Sequence, residues 1–187
     1  MTTLTQQLST TFALAHRAKA CSSSYKRMGK ALGGITNFGG DTPFTLEQVL
    51  DVCGLSDALW CLRCTLPDQE AETHRVLCLF LADCLERIED HMADARSRAV
   101  IPLLRRRAAG QATDEEMADA SHAAYAAAYA AAEDAADEDA ADAAAAYAAA
   151  EDAADAAAAA YAAAEDAADD ERKWQAKRLR QYLTKED

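Results

Sequence analysis

Cys61 and Cys64 are separated by two residues, and His74 and Cys78 by three. Thiolates and an imidazole are ligands for zinc, and His74 with Cys78 would share one face of a helix, a turn apart. Two features speak against a metal centre. The first pair sits in an apolar helical stretch beside Trp60 and Leu62, with no glycine to shape a knuckle. Cysteine is also a common small core residue. The thiols are therefore read as structural and metal-free.

Other chemical patterns fail on spacing. The segment from Gly33 to Gly40 holds four of the seven glycines, yet it is not GxGxxG, and no lysine and hydroxyl follow to complete a phosphate-binding loop. It reads as a loop that needs positive backbone angles. The acidic residues near the C-terminal end lack the ligand series and central glycine of an EF-hand. His16, His74, His91 and His122 are far apart, with no nucleophile motif beside any of them. Ser22-Ser23-Ser24 reads as a polar helix boundary. No triad, carboxylate pair or cofactor fingerprint emerges, so the expectation is a protein that is not an enzyme and uses no cofactor.

The elements that carry these residues are helical. Leu4, Leu8, Phe12 and Ala15 recur at helical spacing, which predicts a first helix from about Leu4 to Ala20. Thr45 and Gln48 form a capping box ahead of Val49 and Leu50, with Gly54 as the stop. Ser56 is placed to cap a short helix through Trp60, which Pro67 ends. Leu77, Leu81, Cys84, Ile88 and Met92 fall on one face of a longer helix from about Glu70, with Phe80 and Leu85 on its flanks. A segment from Ala95 to Ala109 contains Pro102 and closes at Gly110. Its Arg105-Arg106-Arg107 run has three readings: a phosphate contact, cations meeting a helix C-terminus, or a partner for the chain's own acidic helix. Thr113 and Glu116 start the next helix. No stretch alternates as a strand does, so the fold class is all-α, with a bundle over residues 1–112 and an alanine-rich acidic region over 113–187.

That second region repeats itself. Ala143 to Asp155 recurs residue for residue at Ala157 to Asp169, and Tyr129 opens a third copy with Glu133, Asp134 and Asp137. With alanine this abundant and no Gly or Pro after Gly110, the region should be helical over most of its length. On a helical wheel Tyr125, Tyr129, Tyr147 and Tyr161 fall within about 40°, most of the repeat acids within the adjoining ~140°, and the remaining face of the repeats is alanine. A single helix from Asp114 to Leu183 would be about 105 Å long. The alternative is a hairpin that turns near Asp137-Glu138-Asp139, where four extra residues interrupt the repeat.

Charge follows the same division. Residues 1–110 hold 13 bases and 12 acids, whereas residues 111–187 hold 6 bases and 20 acids, so nearly all of the net −13 is local. From Glu133 to Glu171 there are 14 acids and no base. Such a surface repels nucleic acid and anionic membranes and attracts a basic partner. The N-terminal residues lack a signal peptide's basic start and apolar stretch, and no apolar run approaches a membrane span. A cytoplasmic protein with six reduced thiols is expected.

The chain resembles the alanine-rich helical proteins of bacteria and tailed phages that are called immunity proteins. The resemblance lies in Phe38-Gly39-Gly40-Asp41-Thr42-Pro43, Ala58-Leu59-Trp60-Cys61-Leu62-Arg63, Gly110-Gln111-Ala112-Thr113-Asp114-Glu115-Glu116, the aromatic-punctuated alanine repeats, and Trp174 to Leu183. It implies neutralisation of another protein by binding, without catalytic residues. The expected function is a non-enzymatic inhibitor, of immunity or phage anti-defence (anti-CRISPR-like) type, acting on a toxin or a nucleic-acid-binding defence complex. The expected partner-binding residues are Tyr129, Glu133, Asp134, Asp137, Tyr147, Glu151, Asp152, Asp155, Tyr161, Glu165, Asp166 and Asp169. Two other readings stay open: a small-ligand binder with a pocket between the glycine loop and Trp60, and a structural homo-oligomer zipped through alanine faces. The closing Arg172, Lys173, Lys177, Arg178 and Arg180, with Trp174, Leu179, Tyr182 and Leu183 interleaved, predict a terminal segment that docks with its bases near acids.

Overall fold

The computed structural model describes residues 7–92, 94–120, 122–123 and 169–184. They are mostly helical, with one very small sheet. By contact the chain forms two units, Met1–Thr73 with Ala164–Asp187, and His74–Ala163. Contact thus divides the chain differently from composition, which divides it at 112.

The first unit opens on an extended segment. β1 (Ser9–Thr10) pairs antiparallel with β2 (Phe44–Thr45), Ser9 opposite Thr45 and Thr10 opposite Phe44. The first helix is therefore shorter than the expected Leu4 to Ala20. α1 runs Phe12–Arg17 and is capped by Thr11, whose hydroxyl accepts from the Leu14 N–H at 3.1 Å. The reason lies in distant partners. Leu46 N–H donates to the Leu8 carbonyl at 2.8 Å and Leu66 N–H to the Ser9 carbonyl at 2.9 Å. The buried Gln69 side chain accepts from Ser9 N–H at 2.8 Å and donates to the Gln7 carbonyl at 2.9 Å. Leu8, Phe12 and Ala15 are all buried, as their spacing requires, but Leu8 lies before β1 and outside any helix.

α2 (Ser22–Ala31) and the short α3 (Ile35–Phe38) follow, the latter a single helical turn within the segment expected to be a loop. Gly33, Gly34 and Gly39 around α3 all have φ between 81° and 99°, the left-handed region that only glycine enters freely. Phe12 sits at the middle of an aromatic cluster, with ring centroids 4.9 Å from Phe44, 5.2 Å from Tyr25 and 6.0 Å from Phe38. α4 (Leu46–Cys53) carries the expected capping box, in which Gln48 N–H reaches the Thr45 hydroxyl at 3.1 Å and Thr45 N–H the Gln48 side chain at 2.8 Å. α5 (Leu55–Cys61) starts from Gly54 rather than from Ser56. Tight 3-10 turns at Leu62–Cys64 and Pro67–Gln69 then lead into α6.

The C-terminal helix, Asp169–Thr184, also belongs to this unit and packs on α4 and α5. Leu179 and Leu183 are buried, and Arg180 bonds both Glu47, at 3.0 Å, and Asp51, one turn apart on α4. Of the terminal bases, Arg180 thus meets acids as expected.

α6 (Glu70–Arg87) begins in the first unit and continues into the second. Val76, Leu77, Cys78, Phe80, Leu81, Ala82 and Leu85 are all buried, so its apolar surface is far wider than the single face read from the sequence. The helix stops at Arg87, leaving Ile88 in a turn and Met92 buried beyond it. α7 (Ala95–Ala108) starts at Asp94, whose carboxylate accepts from Arg96 N–H at 2.7 Å. It ends at Gly110, where φ is +70° and the Gln111 N–H closes on the Arg106 carbonyl at 2.8 Å. Residues 114–120 are helical, opened by the Thr113 and Glu116 capping box.

Candidate functional site

Of the expected partner-binding residues, Tyr129, Glu133, Asp134, Asp137, Tyr147, Glu151, Asp152, Asp155, Tyr161, Glu165 and Asp166 lie outside the described residues. So does the hairpin point at Asp137-Glu138-Asp139, and with it the choice between one long helix and a hairpin. Asp169 opens the C-terminal helix.

The described residues include the chain at either end of the acidic repeats. On the N-terminal side, within the second unit, the arginine triplet is matched to local carboxylates. Arg105 bonds Asp83 and Glu86 of α6, the latter at 2.8 Å. Arg106 bonds Glu116 at 2.7 Å and the Gln111 carbonyl at 3.0 Å, and Arg107 bonds Asp114 and the Ala112 carbonyl. Hydrogen bonds from the Thr113 N–H and then from Arg106 hold the Glu116 carboxyl below its usual range. All three arginines stand in the last turn of α7, as the reading of cations at a helix C-terminus has it, and Arg106 and Arg107 also pair with acids at the start of the following helix, whereas Arg105 pairs with α6. On the C-terminal side, within the first unit, Arg180 does the same for Glu47 and Asp51.

The thiols fall into separate groups. Cys61 and Cys64 are buried, the Cys64 thiol donates to the Cys61 carbonyl at 3.5 Å, and the Thr10 hydroxyl donates to the Cys64 carbonyl. The hydrogen bond with Cys64, and then burial, push the Cys61 thiol well up. In the second unit Cys78 Sγ lies 3.8 Å from His74 Nδ1, but burial raises that thiol to about 11, which disfavours the thiolate. Among the described residues no three His, Cys, Asp or Glu side chains are grouped as metal ligands.

A cleft in the first unit brings together residues that no motif connects. Phe12, Met28, Phe44, Val49 and Trp60 make its apolar wall, and Cys21, Cys53, Cys61, Ser24 and Asp57 also line it. Its volume is about 40 Å³, room for a few small groups. None of the loop glycines lines it, so the cleft reaches Trp60 without the glycine loop. At one side Cys21 Sγ lies 3.1 Å from the Ser24 hydroxyl, which donates to Asp57 at 2.7 Å, and Arg27 stands 3.9 Å from the same carboxylate. Cys53 reaches the Ser24 carbonyl at 3.7 Å. Sequence reading missed this cluster because its members come from α2, α4 and α5. The one local signal is Cys21 directly before three serines at the start of α2.

No protein-family model matches the chain, and no curated protein or solved structure matches it significantly. No helix among the described residues is long and apolar enough to cross a membrane.

Proposed function

We propose that the chain is a non-enzymatic inhibitor of immunity or anti-defence type, which binds a basic, nucleic-acid-binding protein through its acidic repeats. The carrying observation is the run of 14 acids without a base from Glu133 to Glu171, set in a repeat of 14 residues. Bases flanking that run already have carboxylates of their own, Arg106 and Arg107 with Glu116 and Asp114, and Arg180 with Glu47 and Asp51. Regular carboxylates can occupy a groove that receives phosphates, because both present ordered negative charge to Lys and Arg.

The test is capture from a bacterial lysate at low and high salt, using the whole chain and a variant with Glu151, Asp152, Asp155, Glu165, Asp166 and Asp169 changed to Gln or Asn. A basic partner held at low salt, released at high salt and lost by the variant supports the reading. Equal capture by the variant at low salt excludes it. The cleft beside Trp60 favours a second reading, a site for a small ligand, and its small volume limits that ligand to a few atoms.

A further inference from the structure

We propose that Cys21 is a thiol–disulfide exchange site for low-molecular-weight disulfides, with Cys53 as its resolving thiol. This inference does not depend on the acidic repeats. Cys21 is exposed and Cys53 half-buried, both line the same cleft, and both contact Ser24. α2, which Cys21 precedes, packs on α4, which Cys53 ends.

The two sulfurs have different surroundings. Cys21 Sγ has the Ser23 hydroxyl at 3.4 Å and the Ser24 hydroxyl at 3.1 Å, at the N-terminal end of a 10-residue helix. These hydrogen bonds, Ser23 first and then Ser24, bring its thiol below the usual value, whereas burial and then Asp57 raise that of Cys53. Asp57 and Arg27 act on the charge of the pair, and Tyr25 and Cys61 line the same cleft. Attack therefore belongs to Cys21.

Exchange proceeds in two steps. Cys21 gives its proton to solvent, and its thiolate attacks one sulfur of the small disulfide. A protein mixed disulfide forms, and the first small thiolate leaves and takes up a proton. Cys53 then loses its proton and attacks the Cys21 sulfur, expelling the second small thiolate, which is protonated in turn. Two protein thiols are oxidised to one disulfide, and the small disulfide is reduced to two thiols.

The experiment treats the full-length protein with glutathione disulfide and follows intact mass and the site of modification by peptide mapping. The expected wild-type product is a Cys21–Cys53 disulfide without a retained adduct. Cys53→Ser should hold the glutathione adduct on Cys21, and Cys21→Ser should show neither product. Ser23→Ala, with circular dichroism to confirm its helix content, should slow the attack and move its pH profile to higher pH, because the Ser23 hydroxyl is the first of the groups that lower the Cys21 thiol. Modification of Cys21→Ser at the wild-type rate overturns the proposal. So does an adduct that the wild-type protein retains unresolved, or an unshifted pH profile in a folded Ser23→Ala protein.

Discussion

Phe12 shows how much one side chain can organise. It is 1% exposed and touches Tyr25, Phe38 and Phe44, which come from α2, α3 and β2. Phe12→Ala is expected to cost about 3–5 kcal/mol in denaturant unfolding, the range for a large buried aromatic. Asp94 provides a pH-dependent test. Hydrogen bonds from Arg96 lower its carboxyl from 3.8 to about 2. Because the folded value is the lower one, its contribution to stability is present above about pH 4 and is lost as the pH falls toward 2. An NMR titration should place its midpoint near 2, and Asp94→Ala should cost about 1 kcal/mol through the lost helix cap.

Among the helices, the C-terminal one separates apolar from ionic effects. Leu179 is 1% exposed and Leu183 3%, whereas the Arg180 side chain is 38% exposed. Leu179→Ala should cost about 2–5 kcal/mol. Arg180→Gln should cost less than about 1 kcal/mol, because a solvent-exposed ion pair is weak. Melting curves of the two variants decide the order. If Arg180→Gln were the more damaging, the ion pairs rather than the leucines would hold this helix. Capping boxes at Thr45 and Thr113 illustrate why helix starts are legible: their donors and acceptors lie three residues apart in the sequence.

Across the whole chain, charge is concentrated in one stretch. Residues 111–187 carry 20 acids and 6 bases, so association with a basic partner should weaken steeply with salt. Stopped-flow measurements should show the six-residue neutralised variant losing mainly on-rate. A salt-independent on-rate would argue against electrostatic attraction by the repeats.

The helical class, the capping boxes, the left-handed angles of Gly33, Gly34 and Gly39, the charge division and the burial of Leu8, Phe12 and Ala15 were all legible from the residues alone. These depend on neighbours in the chain, or on composition. Long-range packing kept Leu8 out of the first helix, because its carbonyl bonds to Leu46 and its neighbours bond to Leu66 and Gln69. It also buried α6 over most of its surface, and set Arg180 against Glu47 and Asp51. The meeting of Cys21, Ser24, Cys53 and Asp57 in one cleft has the same origin. Local propensity carries no record of such meetings, since each depends on where separate helices pack.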